Sequence, residues 1–160
     1  MNKPAKQVAV FGSTGSIGVS TLEVIEASGG RLQACALSAN SRFAELVEQA
    51  RQHHPQCVVA TDEAAAAQFD WSGLPTGTEL LVGSAALGEV VSGNNVDIVL
   101  AAIVGSAGLK STWQALESKK TVALANKETM VVAGPLVTKL AKDRGARILP
   151  VDSEHSAIFQ

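Results

Sequence analysis

Three glycines spaced three residues apart, Gly12, Gly15 and Gly18, lie between an apolar run at residues 8–11 and a helix-like run that begins near Ser16. Bare backbone at such a junction allows a diphosphate to reach the N–H groups of the first helical turn without meeting a Cβ atom. Glycine-rich turns also occur as ordinary tight loops, and this alternative stays open. The flanking strand and helix favour the first interpretation, which predicts a bound dinucleotide.

Hydroxyl side chains are interleaved with these glycines. Ser13, Thr14 and Ser16 can bond phosphate oxygens alongside the backbone N–H groups. Gly18 is expected on the inward face of the helix, where the missing side chain permits close packing against the sheet.

The residues after the second predicted strand indicate which dinucleotide is bound. An acid at this point would hold the ribose hydroxyls of NAD, but the chain has Ser38, Ala39, Asn40, Ser41 and Arg42 instead. A guanidinium with small polar neighbours can pair with a 2′-phosphate, which favours NADPH over NADH. Alternatively, Asn40 and Ser41 cap the following helix while Arg42 is solvated, and the two roles are compatible.

Small or polar residues mark the carboxyl ends of two later strands. Residues 101–105, Ala-Ala-Ile-Val-Gly, end the fifth strand and predict either a cofactor contact or a simple strand-to-helix turn. Asn126, Lys127 and Glu128 follow the strand at residues 121–124 and bring together an amide, a cation and a carboxylate. Such a triplet is often only a solvated cap, but its position at the carboxyl edge of the sheet favours a functional role.

Two carboxylates stand near the end of the chain. Asp152 and Glu154 are two residues apart, so in an extended segment both would point to the same side and could hold one hard cation. Oxygen ligands of this kind suit Mg²⁺ or Mn²⁺. The pattern alone is weak, because surface acids commonly show the same spacing.

These residues require a scaffold, and the rest of the sequence predicts one. Strand-like runs occur at residues 7–11, 32–38, 57–60, 79–82, 97–104, 121–124 and 147–151. Helix-like spacing of apolar residues fills the intervals. Ser106 can cap the helix that contains Trp113, and Pro135 fits the first turn of a helix that ends before Gly145. The fold class is therefore α/β, a Rossmann-like doubly wound, mostly parallel seven-stranded sheet with helices on both faces.

Composition narrows the class of protein. A net charge of −2 without a block of basic residues argues against a nucleic-acid or membrane-surface partner. The polar N-terminus has neither the apolar core of a signal peptide nor a spanning helix, so we expect a cytoplasmic protein. Cys35 and Cys57 lie in apolar runs without metal-ligand spacing, and we interpret both as buried free thiols.

Three long motifs together resemble the 1-deoxy-D-xylulose 5-phosphate reductoisomerase family. They are GSTGSIG at residues 12–18, ALANKE at 123–128 and PVDSEHSAIFQ at 150–160, and they occur in the family's order. The resemblance implies an NADPH-dependent oxidoreductase that also needs Mg²⁺ or Mn²⁺. The family converts 1-deoxy-D-xylulose 5-phosphate to 2-C-methyl-D-erythritol 4-phosphate in non-mevalonate isoprenoid biosynthesis, by a rearrangement followed by a reduction.

The resemblance also implies residue roles, which differ along the chain. The cofactor-binding residues would be Gly12, Thr14, Gly15, Ser16, Ile17, Asn40, Ser41, Arg42, Asn126 and Glu128. The substrate and catalytic residues would be Lys127, Ser153 and Glu154, and the metal ligands Asp152 and Glu154. The family's 2′-phosphate loop often has a glycine and a lysine where this chain has Asn40 and Ser41. Which of Asn40, Ser41 and Arg42 would contact the phosphate is therefore open.

The resemblance places residues 1–150 in the NADPH-binding domain and residues 151–160 at the start of a catalytic domain. We therefore expect the native gene to continue past Gln160, this piece alone to be inactive, and the full-length enzyme to be a homodimer acting on a sugar phosphate. Two other functions are considered: a different NADP-dependent dehydrogenase, and a non-catalytic dinucleotide sensor.

Overall fold

The computed structural model describes residues 4–105 and 107–151, in which strands alternate with helices. The strands are β1 Lys6–Phe11, β2 Leu32–Ala39, β3 Cys57–Ala60, β4 Glu79–Val82, β5 Ile98–Ala101, β6 Thr121–Leu124 and β7 Arg147–Pro150. The helices are α1 Ser16–Ala27, α2 Phe43–His53, α3 Glu63–Gln68, α4 Ala86–Ser92, α5 Ala107–Glu117 and α6 Lys127–Arg144. A short 3-10 helix, Trp71–Gly73, lies between α3 and β4.

The strands form one sheet in the order β4-β3-β2-β1-β5-β6-β7, and every pairing in the described chain is parallel. The prediction of a mostly parallel sheet is thus confirmed and strengthened, because a helical segment returns the chain to the same edge before each new strand. The direction of winding reverses between β1 and β5. In open α/β sheets, ligands bind at the carboxyl edge at such a reversal.

Helices cover both faces of the sheet, as predicted. One apolar cluster joins the sheet to α1, α2 and α3 through side chains such as Leu22, Leu46 and Ala66. The other joins the opposite face to α4, α5 and α6 through Leu87, Leu116 and Val137. Burying one such large aliphatic side chain contributes roughly 2 kcal/mol, so the two clusters hold the strand ends in fixed positions.

Cover is incomplete beside α1. An apolar groove of about 450 Å³ lies next to this helix over β5 and β6. Its lining includes Val8, Ile17, Val24, Leu100 and Val151.

β5 is shorter than predicted. The apolar run at residues 97–104 predicts one strand, but pairing covers only Ile98–Ala101. Residues 102–104 leave the sheet because the neighbouring strands β1 and β6 end at Phe11 and Leu124, opposite Ala101. Ser106, predicted to cap α5, lies outside the described residues.

α6 begins earlier than the position of Pro135 predicts. Its first residue is Lys127, and Pro135 lies inside the helix, two residues after Ala133 with its non-helical φ of −137°. Proline removes a backbone donor and crowds the preceding turn, so the helix is kinked there. The predicted end before Gly145 is correct, because Gly145 takes the left-handed conformation that terminates helices.

Both cysteines are free thiols, as predicted. Cys35 is buried as predicted, but Cys57, the first residue of β3, is only half-buried. Burial raises the pKa of Cys35 to about 12 and that of Cys57 to about 11, so both stay protonated near neutral pH. Across residues 4–105 and 107–151, no helix combines the length and apolar character needed to cross a bilayer.

Candidate functional site

Two positions at the junction of β1 and α1 have room only for glycine, one in the turn and one in the first turn of the helix. Gly12 has a φ of +81°, and a Cβ added there would lie 2.7 Å from the carbonyl oxygen of Ala102. A Cβ on Gly18 would overlap the carbonyl oxygen of Gly12 and the backbone of Ser13. The spacing of these glycines is therefore required by the close approach of β1, α1 and the β5 end.

The start of α1 is left without a side-chain cap. Its N-cap is Gly15, which offers no capping side chain, and no acidic residue occupies the first turn. The first N–H groups of a helix have no intrahelical acceptor and carry the positive end of its dipole. Since Ser16 and Ile17 are exposed, this helix end can receive an anion.

The end of β2 fixes the shape of the same turn. The Ser38 hydroxyl accepts a hydrogen bond from the Gly12 N–H at 3.0 Å. The Ser38 carbonyl accepts bonds from the Ser13 N–H at 2.9 Å and from the Ser13 hydroxyl at 3.2 Å. Ser38 and Ser13 are buried, so these bonds are shielded from water.

A cleft of about 640 Å³ opens at this point between the two halves of the sheet. It brings together six of the predicted cofactor residues: Gly12, Thr14, Gly15, Asn40, Ser41 and Arg42. The small residues after β5 line its far side through Ala102, Ile103 and Val104. Two other predicted residues, Ser16 and Ile17, lie in the first turn of α1 and line the neighbouring apolar groove.

Sequence reasoning missed Thr61, Ser84 and Leu87, which also line the cleft. Thr61 directly follows β3 and Ser84 comes two residues after β4. The rule that ligands bind at the carboxyl edge of a parallel sheet could have identified both positions.

The segment Asn40–Ser41–Arg42 is exposed at the cleft, and it does not cap α2 through a side chain. The N-cap position is Arg42, without a side-chain cap bond. Asn40 instead accepts a hydrogen bond on its amide oxygen from the Thr61 hydroxyl at 3.0 Å. The capping alternative is therefore not what the structure contains, and these polar groups face the cleft.

Arg42 forms an ion pair with Glu45, at 3.5 Å between guanidinium and carboxylate. Both side chains are about half exposed, 54% and 52%, so water screens the two charges and the ion pair is weak. The guanidinium can thus exchange this partner for a stronger anion.

The Asn126 side chain is engaged inside the protein. Its amide nitrogen donates to the carbonyl oxygens of Ile103 at 2.6 Å and Gly105 at 2.7 Å, and its amide oxygen accepts from the Thr129 N–H at 3.0 Å. Asn126 is 3% exposed. It therefore caps α6 and ties it to the loop after β5, while a direct contact with a cofactor stays a prediction.

Gly108 makes this connection possible, because a Cβ there would lie 2.6 Å from the Asn126 amide nitrogen. The two residues after Asn126, Lys127 and Glu128, are exposed in the first turn of α6 at the carboxyl edge of β6. Their predicted roles, substrate contact and cofactor contact, stay predictions.

Asp152, Ser153 and Glu154, the predicted metal and substrate residues, lie outside the described residues. In the portion of the chain that the structure does describe, no group of three or more His, Cys, Asp or Glu side chains could hold a metal ion.

Comparison with known proteins decides the family. The model of the family 1-deoxy-D-xylulose 5-phosphate reductoisomerase matches residues 8–134. The chain is also 48% identical over 155 residues to the 1-deoxy-D-xylulose 5-phosphate reductoisomerase of Bacteroides thetaiotaomicron, covering 97% of this chain and 40% of that protein. The chain belongs to this reductoisomerase family. It spans about 40% of the length of the curated relatives that it matches.

Solved structures of reductoisomerases share the fold. The enzyme of Zymomonas mobilis in complex with NADPH has a TM-score of 0.88 at 41% identity, covering 98% of this chain and 41% of that one. A DOX-P reductoisomerase in complex with NADPH, fosmidomycin and magnesium has a TM-score of 0.86 at 43% identity, covering 97% of this chain and 38% of that one.

Proposed function

We propose that this chain is the NADPH-binding part of a reductoisomerase that converts 1-deoxy-D-xylulose 5-phosphate to 2-C-methyl-D-erythritol 4-phosphate. One observation carries the proposal: the start of α1 has no side-chain cap, and neither Gly12 in the preceding turn nor Gly18 in the helix has space for a side chain. A pyrophosphate fits such a turn, since it brings negative charge and acceptors to N–H groups that lack them. The family match supplies the reaction.

Two helix starts would hold the phosphates of the cofactor, α1 the pyrophosphate and α2 the 2′-phosphate. Thr14, Gly15, Ser16 and Ile17 would hold the pyrophosphate through backbone N–H groups and hydroxyls at the start of α1. The loop after β5, whose small residues line the cleft, would leave space for the rest of the dinucleotide. Glu128 and Asn126 would border the nicotinamide end.

The start of α2 would recognise the 2′-phosphate. Arg42 is half exposed and forms a screened ion pair with Glu45, so its guanidinium can pair with a phosphate dianion instead. Asn40 is oriented by Thr61 through its amide oxygen, which makes the amide nitrogen its donor toward a ligand. With no acid in the Asn40–Ser41–Arg42 segment to bind ribose hydroxyls, NADPH should be preferred to NADH.

Titration of the chain with NADPH and with NADH, followed by nucleotide fluorescence, tests this preference. We expect tighter binding of NADPH, and Arg42→Leu should weaken NADPH about tenfold while leaving NADH unchanged. Arg51→Leu is the matched control, since Arg51 forms a similar exposed pair with Glu48 on the same helix, at 3.7 Å. Equal affinity of the unaltered chain for both nucleotides would refute the role of residues 40–42.

The substrate end of the site would be formed by Lys127 together with Ser153 and Glu154, and the metal ligands would be Asp152 and Glu154. Two carboxylates are the donors that Mg²⁺ and Mn²⁺ prefer. When bound, NADPH would supply a hydride and the cation would polarise the oxygens of the rearranging sugar phosphate. Lys127, at the exposed start of α6, would add positive charge to bind and orient the substrate.

The proposed division of the chain is a cofactor domain at residues 1–150, followed by the first residues of a catalytic domain at 151–160. We further propose that the complete enzyme is a cytoplasmic homodimer. The relatives are longer than this chain, which supports the expectation that the chain alone binds NADPH without turning it over. Consumption of NADPH by this chain alone with substrate and Mn²⁺ would contradict that expectation.

Replacing Asp152 and Glu154 together by Asn and Gln in the complete enzyme separates the candidate functions. Loss of metal-dependent turnover with unchanged NADPH affinity supports the reductoisomerase. Unchanged turnover would instead favour a different NADP-dependent dehydrogenase, and tight NADPH binding without any turnover of the unaltered enzyme would favour a dinucleotide sensor.

A further inference from the structure

A glutamine on α2 reaches the glycine-rich turn from outside the cleft. The side-chain nitrogen of Gln49 donates a hydrogen bond to the carbonyl oxygen of Ser13 at 2.9 Å, across 36 residues of sequence. The Ser13 N–H and hydroxyl are both bonded to Ser38. Gln49 therefore completes the set of contacts that holds Ser13 in place.

The bond to Ser13 also fixes the next backbone donor. The Ser13 carbonyl and the Thr14 N–H belong to one planar trans peptide unit, in which the two groups point in opposite directions. The described chain contains no cis peptide bond. Because the carbonyl is directed at Gln49 on α2, the Thr14 N–H is directed away from α2, and Thr14 lines the cleft.

We propose that Gln49 is a positioning residue for the cofactor pyrophosphate, which it serves by orienting the Ser13–Thr14 peptide so that the Thr14 N–H faces the phosphate. This inference rests on the proposed NADPH-binding function. It adds a residue that never touches the nucleotide and links α2, whose start would hold the 2′-phosphate, to the turn that would hold the pyrophosphate.

The other end of the same amide supports a specific role. Within the described part of the chain, the Gln49 side-chain oxygen is buried and has no hydrogen-bond partner. A buried acceptor without a partner destabilises the fold, so packing alone would favour an apolar residue of the same length, such as methionine. The single bond to Ser13 is what glutamine adds over methionine at this position.

Gln49→Met therefore removes the donor and the unpartnered oxygen together, and these two changes act on stability in opposite directions. We expect its thermal midpoint to stay within about 5 °C of the unaltered chain. Gln49→Glu is a second variant of nearly the same shape, whose carboxylate cannot donate to Ser13. Gln52→Met is the matched control, because Gln52 also lies on α2 and donates to Glu26 at 2.6 Å, away from the turn.

Isothermal titration of each variant with NADPH and with adenosine 2′-phosphate tests the proposal. The second ligand carries the 2′-phosphate without a pyrophosphate. We expect Gln49→Met and Gln49→Glu to weaken NADPH about five- to tenfold, as loss of one oriented donor to a charged group implies, and to leave adenosine 2′-phosphate within about twofold. Gln52→Met should bind both ligands like the unaltered chain.

Two results would overturn the proposal. Unchanged NADPH affinity in both Gln49 variants would show that the turn keeps its shape without the bond. Parallel weakening of both ligands would reduce Gln49 to a general structural residue. If the unaltered chain failed to bind NADPH at all, the proposed function itself would fall, and the role of Gln49 with it.

Discussion

Two turns at the same edge of the sheet differ in how they cap the helix that follows. The β1–α1 turn, residues 12–15, leads into a helix without a side-chain cap and without an acid in its first turn. The β6–α6 turn, residues 125–126, places a buried asparagine that caps α6 and holds the loop after β5. The start of α1 therefore has no side-chain acceptor for its first N–H groups, while the start of α6 has one in Asn126.

The missing cap of α1 is evidence for a ligand site only because other helices of the same chain do have side-chain caps. α3 is capped by Asp62 and α6 by Asn126, so the chain supplies caps elsewhere. Three helix starts that border the cleft, those of α1, α2 and α4, have no side-chain cap. The absence of caps at α1 and α2 fits the proposed site, in which one helix start would hold the pyrophosphate and the other the 2′-phosphate.

The largest effect is expected from Gly12→Ala, which fills the β1–α1 turn. Its Cβ would meet the Ala102 carbonyl, and its φ of +81° is strained for alanine, so we expect a loss of about 3 kcal/mol in unfolding free energy and no measurable NADPH binding. Urea unfolding and fluorescence titration measure the two effects.

Gly30→Ala is the control for strain alone. Gly30 has the same φ of +81°, but no atom lies within 4 Å of its added Cβ. It should lose about 1 kcal/mol of stability and keep its NADPH affinity. Equal losses in the two variants would mean that close approach to the β5 end is unimportant.

Converting the first turn into a copy of the second is the next test. Gly15→Asp would place a capping carboxylate at the start of α1, where the φ of −76° suits any residue. Its Cβ would lie 3.3 Å from the Gly12 carbonyl oxygen, which needs only a small shift. We expect NADPH affinity to fall at least about tenfold, with stability changed by less than about 1 kcal/mol.

Gly15→Asn separates capping from charge in the same titration. A smaller loss of affinity than in Gly15→Asp would assign the difference to repulsion of the phosphates. If both variants bound NADPH like the unaltered chain, the open start of α1 would have no part in binding.

Removing the cap of the second turn should affect stability first. Asn126→Ala removes three hydrogen bonds, two donated to the Ile103 and Gly105 carbonyls and one accepted from the Thr129 N–H, so we expect a loss of about 2 kcal/mol in unfolding free energy, measured by urea unfolding. Asp62→Ala, which removes a single cap bond at α3, should cost about 1 kcal/mol. A smaller loss for Asn126→Ala than for Asp62→Ala would show that the link to the β5 loop adds nothing.

The smallest effect is expected at the start of α2. Glu45→Gln removes the weak partner of Arg42 and one negative charge near the proposed 2′-phosphate site. We expect NADPH affinity to rise about twofold, NADH affinity to stay constant and stability to change by less than about 0.5 kcal/mol. A fall in NADPH affinity would show that Glu45 orients the guanidinium instead of competing for it.

The sequence alone predicted the sheet and its helices, because strands and helices are recognisable from local patterns of apolar residues. Short apolar runs alternating with helical spacing predicted all seven strands and the glycine turn, and several boundaries agree to the residue, such as β3 at Cys57–Ala60. Strand ends were less certain, since the end of β5 depends on where its neighbours stop pairing.

The contacts that define the candidate site were not accessible in the same way. The partners of Asn126 are 21 and 23 residues away, and Gln49 meets Ser13 across 36 residues. Such bonds leave no local pattern, because the polar residues involved look like ordinary solvated positions in the sequence. Pro135 was informative but incomplete: it marks the kink at Ala133, whereas the cap at Asn126 sets the start of α6.

The hydrogen bonds that Ser38 accepts from Gly12 and Ser13 join the end of β2 to the β1–α1 turn, across 26 and 25 positions of sequence. Neither bond can form until the segment between the turn and Ser38 has folded back to bring β2 beside β1. Order in the glycine-rich turn consequently requires that the first crossover has closed and that its two strands are in register. If this turn binds the coenzyme as proposed, refolding followed by coenzyme fluorescence would report the pairing of β1 with β2, without any earlier rise from a chain in which they are unpaired.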